Sequence, residues 1–170
     1  LALKPMGVEN RSDRRDVVKE QGRYIHIIQK VPLFKGLQLT QFTRILRICS
    51  KRAIPKDMAV IYSGAESKEM FILIKGQLKV IFDDGKELSR IMPVELVGEM
   101  GLFTGEERSA SVVAAEESLV LAIHKKELMD LFRKDSELGI HILTNVIREL
   151  SHKVKKSNTI TEELRKKCLP

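Results

Sequence analysis

The sequence predicts a mainly β protein, a jelly roll or small barrel of seven or eight short strands, with helices flanking it at both ends. Two observations carry this. Between Lys51 and His124 the apolar residues fall in short runs of strand length: AVIYS, MFILIK, QLKVIF, ELSRIM, ELVG, SASVVAA and SLVLAIH. Gly64, Gly76, Asp83-Asp84-Gly85, Pro93, Gly101 and Gly105 punctuate them, a rhythm of strands and turns without room for βαβ crossovers. On either side of this stretch the apolar period lengthens to that of a helix. At 170 residues with 43% hydrophobic side chains, the chain holds enough apolar surface for one core plus a helical arm.

Each element has its own signal. Residues 12–30 read as a helix opened by Ser12 or Asp13 as N-cap. Val31-Pro32-Leu33-Phe34-Lys35-Gly36-Leu37 interrupts it, because Pro32 disfavours a helical Val31. Thr40 is read as the cap of a short helix with Phe42, Ile45, Leu46 and Cys49 along one side. Cys49 is thereby a small core hydrophobe. KVIFDDGKELSRI is the clearest hairpin, with Asp84-Gly85 at its turn. KKELMDLFRK is helical, with Leu128, Leu131 and Phe132 as one face. A long helix then runs from Ser136 to about Lys167, with a 4-3-4 apolar stripe at Leu143, Ile147, Leu150 and Val154. Such a stripe packs either on the protein's own body or on a second chain. Three segments result: an N-terminal helical segment over 1–30, the β unit over 31–135 and the long helix over 136–170.

Several function classes fall away. No apolar run approaches the 18 residues of a membrane span, and the opening LALKPMGVENRSDRR lacks the apolar stretch of a secretory leader. A cytoplasmic protein without a membrane segment is expected. Two cysteines, Cys49 and Cys168, make neither a disulfide framework nor a cysteine-ligated cluster. The net charge of +7 is confined to the ends: +3 over residues 1–30, zero over 31–124 and +4 over 125–170. Basic runs such as Lys153, Lys155, Lys156 and Arg165, Lys166, Lys167 read as solvated helix faces, without the interleaved aromatics of single-strand binding. His141 and His152 share a helix face but lie about 16 Å apart, too far to hold one metal ion. Neither a GxSxG elbow nor a P-loop is present. Not an enzyme: no catalytic residue and no metal site are expected.

The chemistry sits in Val97-Gly98-Glu99-Met100-Gly101-Leu102-Phe103-Thr104-Gly105-Glu106-Glu107-Arg108-Ser109-Ala110-Ser111-Val112. Three glycines in eight residues predict a tight loop and a turn of helix between two strands, which lets backbone N–H groups converge on an anion. Arg108, read at the start of the following strand, supplies a bidentate charge for phosphate oxygens. Glu99 would repel a phosphate, so its useful role is to accept hydrogen bonds from a sugar hydroxyl. Phosphate donors and a ribose acceptor in one cassette describe a nucleotide. The competing reading makes Glu99 and Arg108 an ion pair that merely pins a loop.

The string Gly98-Glu99-Met100-Gly101-Leu102 followed by Arg108-Ser109-Ala110-Ser111-Val112 resembles the phosphate-binding cassette of the cyclic-nucleotide-binding domain family. Upstream, Ile61-x-x-Gly64, then Phe71-Ile72-Leu73-x-x-Gly76-x-Leu78-x-Val80, match the family's strand pattern, and Val31-Pro32-Leu33-Phe34 matches the segment that leads into its first helix. The resemblance covers roughly residues 31–160. It implies an eight-stranded jelly-roll β-barrel and a regulatory module that couples ligand occupancy to movement of the helices after His124. By the same resemblance Glu99 binds the ribose 2′-hydroxyl. Arg108 holds the cyclic phosphate, assisted by the Ser109 hydroxyl and the backbone around Gly98, Met100 and Ala110, while Val80 and Val97 line the sugar and base. Ser109 is compatible with cAMP, which is favoured over cGMP. The partners implied are a cyclic nucleotide and, through the C-terminal helix, a homodimer or an unknown protein. A DNA-binding domain is not expected in a chain that stops at Pro170, so the receptor is read as stand-alone. The alternative is a ligand-free interaction module of the same fold. Two departures stand out. Val94 follows Pro93 where the family usually has Gly. Lys153 and Val154 occupy the place from which some members reach the base with a hydroxyl pair.

Overall fold

The side chains of the two central strands alternate between two cores, and this alternation organises the molecule. The computed structural model describes residue 17 and residues 20–168. In chain order it contains α1 (Gln21–Ile28), a 3-10 turn (Pro32–Phe34), α2 (Leu39–Ile48), β1 (Cys49–Ile54), β2 (Ala59–Ile61), β3 (Glu69–Lys75), β4 (Leu78–Ile81) and β5 (Glu87–Ile91). There follow β6 (Leu96–Val97), α3 (Glu99–Thr104), β7 (Ser111–Ala114), β8 (Ser118–His124), α4 (Lys125–Lys134) and α5 (Ser136–Cys168). The proposed caps Ser12 and Asp13 lie outside the described residues.

Two antiparallel four-stranded sheets form, in the orders β1-β8-β3-β6 and β2-β7-β4-β5. From β3 and β8, Phe71, Leu73, Val120 and Ala122 face the second sheet and meet Ile61, Leu78 and Val112 there. Met70, Ile72, Leu121 and Ile123, the intervening residues, face the helices and pack with Phe34, Phe42, Leu128 and Ile142. A period of two on a sheet covered on both faces gives near-continuous apolar strands, as MFILIK reads. Each fully buried Leu, Ile or Phe contributes about 1.5–3 kcal/mol, so these two strands hold the three layers together.

The expected closed barrel is corrected to an open sandwich. Among the described residues no ladder joins β1 to β2 or β6 to β5. The physical reason is length: β6 has two residues and β2 three, too few to pair on both edges. An eighth strand, β1, comes from Cys49–Ile54, which the sequence reading left partly in the preceding helix. It pairs with β8 from Cys49↔Ile123 to Ile54↔Ser118. The cap of α2 is Gln38, not Thr40; Gln41 Oε1 accepts from the Gln38 backbone N–H at 2.9 Å. Cys49 is buried, its thiol donating to the Ile45 carbonyl at 3.3 Å.

The hairpin forms as expected between β4 and β5, closed by Phe82 N–H donating to the Lys86 carbonyl at 3.0 Å. The long helix also forms, but its stripe faces outward. Leu138, Ile142 and Val146 are the α5 residues that enter the core. Asn145 Nδ2 donates to the carbonyls of Leu33 (3.0 Å) and Lys35 (2.9 Å), and His141 Nε2 lies 2.8 Å from the Lys35 carbonyl. These contacts clamp α5 to the 3-10 turn. Leu143, Ile147 and Val154 are exposed, at 41, 64 and 57%, as is Ile140, and only Leu150 of the stripe is half-buried against the body.

Candidate functional site

The predicted cassette forms a strand, a short helix and a return. Gly98 ends β6 with φ +86 and caps α3, and Gly105 closes α3 with φ +80. A Cβ on Gly98 would stand 2.6 Å from Arg108 Nη1, so glycine is required there for space as well as for backbone angle. Inside α3, a Cβ on Gly101 would run into Ser67 Oγ, and this close approach seats the helix against the loop before β3.

Arg108 lies in the connection between α3 and β7, three residues short of the strand on which it was expected. Its backbone is fixed from both sides: Gly64 N–H donates to its carbonyl at 2.8 Å, and its own N–H donates to the Ala65 carbonyl at 3.0 Å. The side chain is buried, with Nη1 donating to the Gly98 carbonyl at 2.7 Å and Nη2 donating to the Glu69 carbonyl. Burial pulls the guanidinium below its ordinary value, with the Glu69 and Glu99 charges acting in the opposite direction.

The carboxylates near Arg108 are occupied by other cations. Glu69 takes both terminal nitrogens of Arg52, one of them at 2.8 Å. Glu99, at the first position of α3 and 16% exposed, receives Lys153 Nζ from α5 at 2.8 Å. The Glu99–Arg108 pair of the competing reading is therefore not formed; the two side chains belong to different hydrogen-bond sets. A cavity of about 240 Å³ lies where Glu99 and Lys153 meet, walled also by Leu33, Ile91, Leu96 and Leu150.

The remaining predicted residues frame this arrangement. Val80 and Val97 are half-buried at the edge of the inner core, Val80 opposite Val112 and Val97 opposite Phe71. Ala110 is half-buried, whereas Ser109 and Met100 are exposed at the rim.

A profile of the cyclic nucleotide-binding domain family matches residues 51–135, which take in the cassette and both sheets except the first two residues of β1. The chain belongs to the cyclic nucleotide-binding domain family. The cyclic AMP receptor protein of Thermus thermophilus is 29% identical over 107 residues, which are 61% of this chain and 50% of that protein. A cyclic nucleotide-gated potassium channel of Mesorhizobium japonicum is 30% identical over 113 residues, 66% of this chain and 31% of the channel. The chain thus spans half or less of these curated relatives. Among solved structures, a cyclic nucleotide-binding domain from Methylobacillus flagellatus superposes with a TM-score of 0.74 at 20% identity, covering 91% of this chain and 87% of that one. The Thermus thermophilus catabolite activator protein gives 0.68 at 26% identity, over 79% and 63%. The family is one of regulatory binding domains, not catalysts. Among the described residues no group of His, Cys, Asp and Glu is placed to hold a metal ion, and no helix is long and apolar enough to cross a membrane.

Three residues that bond or pack at the cassette were not among the site residues expected from the sequence. Glu69 contributes a backbone carbonyl, which no side-chain pattern encodes. Ser67 packs under Gly101, and Lys153 meets Glu99 across 54 positions. Only Lys153 left a signal, as a cation standing where some members of the family place a hydroxyl.

Proposed function

We propose that the chain is a cyclic-nucleotide receptor module, with cAMP favoured over cGMP, that converts ligand occupancy into a change in its C-terminal helices. One observation carries the reading: Arg108 is buried at the cassette with its donors on backbone carbonyls, and among the described residues no carboxylate is hydrogen-bonded to it. A buried charge lacking a counter-ion is costly, and an arriving cyclic phosphate supplies that counter-charge through charge-assisted hydrogen bonds. Glu99 then accepts from the ribose 2′-hydroxyl. The Ser109 hydroxyl and the backbone at Gly98, Met100 and Ala110 assist at the phosphate, and Val80 and Val97 give the sugar and base an apolar floor. Relatives whose names record cyclic AMP reception and cyclic-nucleotide gating support the same ligand class.

The output runs through α5. Its stripe repeats as Ile140, Leu143, Ile147, Leu150 and Val154, exposed except for the half-buried Leu150, with β-branched residues and leucines alternating at 3-4 spacing. In parallel coiled coils that alternation selects two strands, so a second copy of this chain is the proposed partner. The protein signals as a cytoplasmic receptor through this helix, without chemistry of its own.

Calorimetric titration with cAMP, cGMP and 5′-AMP tests the reading. The expected result is micromolar or tighter binding of a cyclic nucleotide, stronger for cAMP, and no heat with 5′-AMP. Silence with both cyclic nucleotides in a folded, ligand-free sample overturns it.

A further inference from the structure

Among the described residues, Lys153 is the last of α5 to bond to the body of the protein. The helix is clamped at His141 and Asn145 and buries Ile142 and Val146. From Ser151 onward every side chain whose exposure is described faces solvent. Across this gap Lys153 Nζ reaches Glu99 Oε1 at 2.8 Å. The two ends of the contact differ: Lys153 is 59% exposed, Glu99 only 16%. The carboxylate is largely enclosed at the start of α3, and the ammonium comes to it on a flexible four-carbon stem.

We infer that Lys153 is a built-in competitor for Glu99, holding the distal half of α5 against the cassette until a sugar hydroxyl displaces it. The inference rests on the reading of Glu99 as the ribose acceptor. Three features support the exchange. First, the pair joins α5 to α3 across 54 positions and borders a cavity of about 240 Å³, so a hydroxyl can approach Glu99 from the side on which Lys153 holds it. Second, Lys153 has somewhere to go. Glu149 stands one helical turn earlier in the wall of the same cavity, and a Glu followed four residues later by Lys is the favourable order for a pair on one helix. Third, the contact is weak enough to be reversible, since a partly exposed ion pair is worth little beyond a few-fold change in an equilibrium. The device therefore has two seats for one ammonium, and the ligand decides between them. An autoinhibitory contact of this kind lowers apparent affinity by the fraction of molecules in which Glu99 is already taken.

The test uses the full chain and two variants, Lys153→Met, which keeps the apolar stem, and Lys155→Met, a control on the solvent side of the same helix. Calorimetry with cAMP is expected to show Lys153→Met binding about three- to fivefold more tightly than the unmodified chain, with Lys155→Met unchanged. Hydrogen exchange of the ligand-free proteins, at matched concentration and oligomeric state, is expected to be faster over residues 150–168 in Lys153→Met than in the unmodified chain. Equal or weaker binding by Lys153→Met, an equal gain in Lys155→Met, or unchanged exchange overturns the inference while leaving the receptor reading intact. Silence of the unmodified chain toward cAMP and cGMP removes the receptor reading, and this inference with it.

Discussion

At the scale of the residue, Arg108 shows why a side chain at this position must be planar as well as positive. Its fork reaches the carbonyls of Gly98 and Glu69 at once, joining β6 to β3 while keeping a charge inside. A lysine retains the charge but cannot span both carbonyls in a fixed plane. Arg108→Lys is therefore expected to weaken cAMP binding at least about tenfold and to cost about 1–2 kcal/mol of stability, read by calorimetry and by urea unfolding of the same sample. A variant that loses stability and keeps full affinity would assign Arg108 a purely architectural role. The sequence could single out Glu99 and Arg108 because a carboxylate and a guanidinium in one glycine-rich stretch suit different partners, and the structure places them in separate hydrogen-bond sets. Their partners were not legible in the sequence. The carbonyl acceptors and Lys153 come from β3, β6 and α5, elements whose proximity is set by tertiary packing and leaves no local pattern.

At the scale of the element, most of the architecture follows from apolar rhythm, and the exceptions are instructive. β1 was missed because Lys51 and Arg52 break its alternation; each is in fact satisfied across an element boundary, Arg52 by Glu69 and Lys51 by Glu20 at 3.5 Å. That second contact ties α1 to β1 and includes the buried Tyr24, with Lys51 Nζ 5.9 Å from its ring centre. Burial and the neighbouring Glu20 raise the Tyr24 phenol, the Tyr24 hydroxyl lowers Glu20, and Tyr24 raises Lys51. The signs follow by linkage. The raised phenol and ammonium stabilise the fold below their ordinary range and lose that contribution as pH climbs through the raised values, whereas lowered Glu20 loses its contribution only in acid. Thermal melts should thus fall in Tm as pH rises past about 10, and fall less in Tyr24→Phe. Equal slopes would remove Tyr24 from the account. The turn before β6 gives a second case. Met92 to Glu95 closes with Glu95 N–H donating to the Met92 carbonyl at 3.0 Å, and Val94 sits at φ +79. A glycine turn has been kept without its glycine, at a strain of about 1–2 kcal/mol for a β-branched residue. Relief of that strain outweighs the loss of a half-buried isopropyl group. Val94→Gly is expected to stabilise by about 1 kcal/mol, about 2–4 °C in Tm; a lowered Tm would mean that the packing of Val94 is worth more than the strain.

At the scale of the molecule, α5 has two working faces. One is spent on the body through Leu138, Ile142 and Val146, the other is the outward stripe of Ile140, Leu143, Ile147 and Val154. The sequence displayed only the outward stripe as a regular pattern, because the inward face mixes Asn145 among its apolar residues. Placing a charge in the stripe separates the faces: Ile147→Glu is expected to shift the protein from dimer to monomer in light scattering while leaving cAMP affinity within about twofold, since Ile147 faces solvent on α5 and is not part of the cassette. A monomeric unmodified chain would instead assign the stripe to another occupant. The clamp at Asn145 gives the same helix a mechanical property. Lys153 lies about 12 Å along the axis from that fulcrum and Cys168 about 35 Å. A rigid swing that moves Lys153 by about 2 Å therefore carries the far end through about 6 Å, a lever with a gain of about 3 whose short arm ends at Glu99.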